Sequence, residues 1–182
     1  MDPLMHILLP VLFLLAIKMD PKMVLLYSPF AILPDFDALF GLHRAAFHSL
    51  IVAVLLPLAL VTYSKYKRTE WLAASTLILF YLASHVVLDL GGVAFLWPFT
   101  TDMFYFDPQV TFKIQGGVAF DFNLDYGTRP FVEMGTTDFV SEYGFATLFL
   151  GVLLAMVFRK EAKGAILSGL RIVKGFLYRY QE

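Results

Sequence analysis

The chain has no cysteine. Disulfides and thiolate metal sites are therefore excluded, and any metal must be held by histidine or carboxylate, a donor set that suits Zn, Mn, Fe or Mg. Charge is also scarce. Only 16% of the 182 residues are charged, and the net charge of −1 provides no basic surface for nucleic acid. Histidine occurs just four times. What is abundant is apolar: 59% of residues are hydrophobic, with a mean hydropathy of +0.71. That exceeds the apolar share of an ordinary soluble domain, and the length suits one compact unit.

The opening stretch, MDPLMHILLPVLFLLAIK, is apolar almost at once. It lacks a basic n-region and a small-residue cleavage site, so it is expected to persist as a helix rather than be cleaved. A spanning helix needs about 20 mostly apolar residues. Residues 71–90, 45–63 and roughly 139–158 have that length. Residues 4–17 and 23–34 are shorter and are broken by Pro10 and Pro29, so they are expected to be tilted or partly inserted. The expected fold class is an all-α polytopic membrane protein with about five transmembrane or partly inserted helices.

Lysine and arginine set the orientation. Lys18 and Lys22 separate the first two segments, and Lys65, Lys67 and Arg68 separate the third from the fourth. Arg159, Lys160, Lys163, Arg171, Lys174 and Arg179 follow the fifth. The positive-inside rule makes all three clusters cytoplasmic, which puts the N-terminus outside and the C-terminus inside. Residues 98–142 are then extracytoplasmic, with seven acids against two bases. Alternating apolar residues, many aromatics and Gly116-Gly117 predict a β-rich cap over 99–138, or a loop held to the membrane by its aromatics. The tail 159–182 reads as an amphipathic helix on the cytoplasmic face. Ala162, Ile166, Leu170, Val173 and Leu177 lie on one side, opposite Lys160, Lys163, Arg171 and Lys174. The expected units are a helical core over 1–98, the cap over 99–138, a last span over 139–158, and the tail.

Against this apolar background, LPDFDALFGLHRAAFHSL at 33–50 carries two aspartates, two histidines and an arginine. His6 belongs to the outer end of the first segment. Asp35 and Asp37 follow the second, His43, Arg44 and His48 begin the third, and His85 and Asp89 end the fourth. Every histidine thus falls at one depth on one side. Singly, each has an ordinary use: Asp37 could cap a helix and Arg44 could snorkel to headgroups. Jointly they mark a functional site, because ionisable groups in membrane segments are costly. His85 and Asp89, four apart, share a helix face. A divalent cation would neutralise aspartates that otherwise repel. Seven candidate ligands (His6, Asp35, Asp37, His43, His48, His85, Asp89) exceed the four of one zinc, so a binuclear centre is expected. Two metals can activate water for displacement at phosphorus, and Arg44 suits a phosphate oxygen.

The motifs LPDFD…HRAAFHSL and SHVVLDLGGVAFLWPF, spanning 33–98, resemble a family of LexA-regulated, membrane-bound, metal-dependent hydrolases. The matching positions are Asp35, Asp37, His43, Arg44, His48, Ser49, Ser84, His85, Asp89, Leu96, Trp97 and Pro98. Ala45-Ala46-Phe47 departs from the small Gly and Thr usual there. The resemblance implies a polytopic membrane protein with a metal centre, and it names no substrate. The His85/Asp89 pair is also similar to part of the metal site of zinc-dependent phospholipase C enzymes.

Together these readings lead to an expected enzyme: a metal-dependent hydrolase of the inner (cell) membrane, with zinc favoured. Its substrate would be a phosphoester of a lipid or lipid-linked molecule at the outer face. Asp35, Asp37 and Arg44 would be catalytic, and Arg44, Ser49, Ser84 and Trp97 would contact substrate. The competing classes are a metal-ion or small-solute transporter and a structural protein tied by metal. Against transport, the inner halves of segments three to five carry no ionisable residue. An amide hydrolase of the His-Glu-x-x-His type lacks its motif here.

Overall fold

The structure, a computed structural model, describes residues 2–113, 119–132 and 141–157. The tail over 159–182 lies outside them, as do parts of the cap at 114–118 and 133–140.

An Asp-Pro pair starts each of the first two helices. Asp2 accepts a hydrogen bond from Met5 N at 3.0 Å and caps α1 (Pro3–Ala16). Asp20 does the same through Lys22 N for α2 (Pro21–Tyr27). Aspartate satisfies an orphan N–H, and proline at the first helical position has none to lose. Pro29 and Pro34 then deny α2 its continuation, and the chain tightens into 3₁₀ turns over Ser28–Ala31 and Pro34–Phe40. Gly41, at φ 67°, ends this run in the left-handed region. The helical stretch Pro21–Phe40 therefore extends to 20 residues and is apolar enough to cross a membrane. This corrects the expectation that 23–34 is too short: the prolines change the helix type rather than end it.

The next segment also differs from the expected 45–63. Residues 41–49 are turns, and the helix runs from a π-helical start at Ile51–Leu55 into α3 (Leu56–Lys67). Leu56 N reaches back to Ile51 O. The irregularity falls just ahead of Pro57, whose ring crowds the carbonyl four residues earlier. A 3₁₀ turn at Thr69–Trp71 leads to α4 (Leu72–Leu88), and Thr69–Leu88 is the second stretch long and apolar enough to span. The last helix, α5, covers Glu142–Val157.

Helix α4 is the centre of the bundle. Val11 and Leu14 of α1, Val24 of α2, Ala31, and Leu77 and Tyr81 of α4 form one buried cluster. Within it the Tyr81 hydroxyl donates to Val24 O at 2.7 Å, which satisfies an otherwise costly buried group. Ala53, Val86 and Val93 form a second cluster between the π-helical turn and the end of α4. Helix α5 packs on α1.

The β-rich insertion is a two-stranded antiparallel hairpin, β1 (Met103–Lys113) with β2 (Ala119–Arg129). Its base is tied to the loop after α4. Val93 bridges Phe104, Phe106 N donates to Leu90 O at 2.8 Å, and Arg129 Nη2 donates to Gly91 O at 2.6 Å.

Candidate metal centre

Four elements bring the polar residues together. His6 lies one turn into α1, fully buried. Its helix end is held by Asp2, which accepts hydrogen bonds from Ser141 N and Ser141 Oγ at the start of α5. Gly144 leaves room for that carboxylate: a Cβ there would stand 2.8 Å from Asp2 Oδ1. Burial alone would raise the Asp2 pKa, but the hydrogen bonds from Ser141 and Met5 N outweigh it and hold the carboxyl below its usual range.

His85 and Asp89 come from the end of α4. Asp89 is its C-cap residue, with its N–H on His85 O at 3.1 Å. Asp89 is the hub of the site. Its Oδ1 lies 3.3 Å from His6 Nε2 and 3.2 Å from the Arg44 guanidinium, and its Oδ2 lies 3.5 Å from His48 Nε2 and 3.9 Å from His85 Nε2. His85 Nε2 is also 3.5 Å from Asp35 Oδ1, and the His6 and His85 rings stack at 3.8 Å. One donor atom from each of His6, Asp35, His85 and Asp89 lies within 4.8 Å of the other three, so this group could hold a metal ion.

Asp35 and Asp37 do not converge, contrary to the expectation for an extended or turning loop. They lie in a 3₁₀ turn with about three residues per turn, so positions two apart diverge by about 120°. Asp35 faces His85. Asp37, fully buried, faces the other way. Its Oδ2 accepts from Ala45 N and Phe47 N, both at 3.3 Å, and pairs with His48 Nδ1 at 2.9 Å. Its Oδ1 is 3.4 Å from His43 Nδ1. Because Ala45 and Phe47 contribute their backbone N–H groups, the departure from Gly and Thr in this stretch leaves these bonds intact.

The hydrogen bonds fix two tautomers. His85 Nδ1 lies 2.6 Å from the Ala31 carbonyl, which can only accept, so Nδ1 carries the proton. His48 Nδ1 is likewise assigned as donor to the Asp37 carboxylate. The two Nε2 atoms face each other at 3.0 Å, a spacing that a shared proton or a metal ion between or beside them accounts for. Two imidazoles on one zinc, each at about 2.0–2.1 Å, would set their nitrogens about 3.3 Å apart.

Two further observations fit a cation. Both ring nitrogens of His6, Asp35 Oδ2 and Arg44 Nε are buried without a hydrogen bond. The site also gathers three carboxylates (Asp35, Asp37 and Asp89), of which Asp89 pairs with the Arg44 guanidinium, and a divalent ion would offset the remaining negative charge.

Arg44 itself is held at φ 66°, a left-handed conformation uncommon for a side chain of its size. Ala94 N donates to its carbonyl at 2.8 Å, and Leu50 N donates to Phe95 O at 2.8 Å, so the 90s loop pins the turn that carries Arg44 and His48. His48 therefore sits in this turn, ahead of its helix. Among the other positions singled out from sequence, the Ser49 hydroxyl donates to Ala46 O and the Ser84 hydroxyl to Tyr81 O, both within their own local backbone. Trp97 is half-buried and precedes Pro98 through a cis peptide bond. Sequence reasoning missed the Ala31 carbonyl and the Asp2–Ser141–Gly144 contact. The Asp-Pro start of α1 announces the cap but not its second partner in α5.

No curated protein and no solved structure matches the chain. One protein family, described as "YdjM inner membrane protein", matches residues 1–164. The match takes in α1 through α5 and every residue of the buried His/Asp cluster. The chain belongs to the YdjM family of inner membrane proteins.

Proposed function

We propose that this protein is a metal-dependent hydrolase that cleaves a phosphoester of a lipid or lipid-linked substrate at the outer face of the membrane. The observation that carries the reading is the pair of Nε2 atoms of His48 and His85 at 3.0 Å, beside Asp89 and Asp35, where a metal ion can take the place of a bridging proton. His6, Asp35, His85 and Asp89 would hold one divalent ion, with His48 joining them. The divergence of Asp35 and Asp37 favours one ion over the two expected from counting ligands. Zinc suits the nitrogen and oxygen donors best.

A divalent ion bound there supplies Lewis-acid activation of water and polarises a phosphoryl oxygen. The protein's own groups do the rest. Asp37 orients His48 through Nδ1, the usual arrangement of a carboxylate behind a metal-binding histidine. Arg44 offers its unused Nε to a substrate oxygen. Asp35 is the least buried of these ligands, its side chain 19% exposed, and its Oδ2 has no hydrogen-bond partner.

A lipid substrate is supported by what surrounds Asp35. Phe36, Leu39 and Phe40 in the same 3₁₀ segment are exposed, an arrangement suited to acyl chains rather than water. The extracytoplasmic location rests on the lysine and arginine distribution.

The test is turnover of phospholipid and of bis-p-nitrophenyl phosphate by the full chain in proteoliposomes. Activity removed by chelator, restored by Zn and lost in Arg44→Ala is expected. Metal-loaded protein that hydrolyses neither substrate would refute the phosphoester assignment, and metal uptake into the vesicles would favour a transporter.

A further inference from the structure

The hairpin β1–β2 has two unlike faces. In its antiparallel register Phe106 pairs with Tyr126, Pro108 with Leu124 and Val110 with Phe122. Cross-strand partners project to the same side, so these six side chains form one face without a charge. The intervening pairs are Asp107 with Asp125, Gln109 with Asn123 and Thr111 with Asp121, and they form a polar, acidic face. The apolar face is open: Val110 and Tyr126 are each 70% exposed and Phe122 66%. A contiguous bare patch of that kind on an isolated two-stranded ribbon is unstable in water and marks a contact surface.

Three observations identify what covers it. The hairpin is rooted at the end of a membrane-spanning stretch: Thr69–Leu88 ends one residue before Asp89, and Leu90 and Gly91 accept hydrogen bonds from Phe106 N and Arg129. The connection from α4 to β1 is itself exposed and apolar at Leu96 and Phe99, so the chain between the span and the strands also offers apolar side chains. All three described acids of the strands lie on the opposite side, where they would face water and stand away from anionic headgroups. Aromatic residues concentrated at the end of a span are the usual interfacial anchors.

We propose that the paired strands β1 and β2 lie on the membrane, with their Phe106, Pro108, Val110, Phe122, Leu124 and Tyr126 face inserted among the lipids of the leaflet at the Asp89 end of α4. The hairpin is then tied to the loop that follows Asp89. Arg129 closes over Gly92, where φ is 146° and a Cβ would lie 2.3 Å from the guanidinium. It also stacks on Tyr105 at 5.6 Å. Through this clamp the strands hold the loop that follows Asp89. The proposal does not depend on the reaction catalysed.

The absence of native cysteine makes the test clean. Phe122→Cys and Asn123→Cys, neighbours on opposite faces, are spin-labelled in the full chain and reconstituted in vesicles of phosphatidylethanolamine and phosphatidylglycerol. Position 122 is expected to be accessible to oxygen and protected from a water-soluble nickel chelate, with the reverse at 123. The ratio of the two accessibilities should differ severalfold between the positions. Equal nickel accessibility at both would put the face in water and overturn the proposal. Protection of 122 from both probes, with efficient disulfide cross-linking between two Phe122→Cys chains, would assign the face to a second copy and overturn it equally. Val110→Cys and Gln109→Cys give the same comparison on the other strand should either β2 variant fail to fold.

Discussion

Asp37→Asn separates holding a metal from orienting a residue that holds it. Asparagine can keep its oxygen where Asp37 Oδ2 now accepts from Ala45 N, Phe47 N and His48 Nδ1, and turn its amide towards His43. The hydrogen bonds survive, and the negative charge behind His48 is lost. Carboxylates in this position are worth about 10–100-fold in metal affinity, and retention of the bonds puts this variant near the lower figure, about 1.4 kcal/mol. Asp37→Ala removes the acceptor as well. It frees the His48 ring to turn and leaves two backbone N–H groups unsatisfied, so affinity should fall about 100-fold. Stability should also fall, by about 1–3 kcal/mol for each orphaned group. The assay is zinc competition against a chromophoric chelator in mild detergent, with helical content and thermal midpoint measured on the same samples. Asp35→Asn and Asp89→Asn remove charge from the four-residue group itself and should weaken binding more than Asp37→Asn does. If Asp37→Asn loses zinc as completely as these, Asp37 is a ligand and the orienting role is wrong. If Asp37→Asn and Asp37→Ala both bind zinc as tightly as the wild type, His48 is not part of the centre.

Three other outcomes follow from the packing. Gly144→Ala would place a Cβ against the Asp2 carboxylate, and the forced shift should cost about 1–3 kcal/mol and weaken zinc binding through His6; thermal unfolding and the chelator competition report both. The Asp2 carboxyl is depressed in the folded protein, so its contribution to stability is present above its ordinary value of 3.8 and lost as the pH falls through the lower folded value. Acid titration of unfolding should show a component in that window that Asp2→Asn lacks. Tyr81→Phe removes the hydroxyl on Val24 O and should destabilise the α2–α4 contact by about 0.5–1.5 kcal/mol in a denaturant melt while leaving zinc affinity unchanged.

The helical architecture and a buried His/Asp group at His6, Asp35, His85 and Asp89 were legible because both rest on strong local signals. Apolar runs mark the helices, and all four histidines sit near turns at one end of those runs. For His6 the sequence leaves the place open, and the Asp2 cap on Pro3–Ala16 is what sets it one turn into α1, beside Asp89. The finer geometry was hidden wherever it depends on helix type or on distant partners. Pro29 reads as an interruption, yet here the chain passes from α-helix into 3₁₀ turns at Ser28–Ala31 and Pro34–Phe40, which carries the segment to Phe40 and splays Asp35 from Asp37. The ligand count led to an expectation of two metals, and the sequence did not show that Asp37 pairs with His48 Nδ1. The start of α3 moved past His48 because the left-handed Arg44 and the Ala94 and Phe95 contacts hold that stretch in turns, and none of those contacts is local. The β-hairpin was visible in the alternation of its strands.

Metal content per chain tests the central claim most directly. The wild type and an Asp35→Ala/His85→Ala double variant are purified in mild detergent without chelator, and bound metals are quantified by mass spectrometry alongside protein. The account predicts about one divalent ion per wild-type chain and none in the folded variant. A folded wild type that holds no metal even after incubation with Zn would contradict it, leaving the His48–His85 pair as a polar network bridged by a proton.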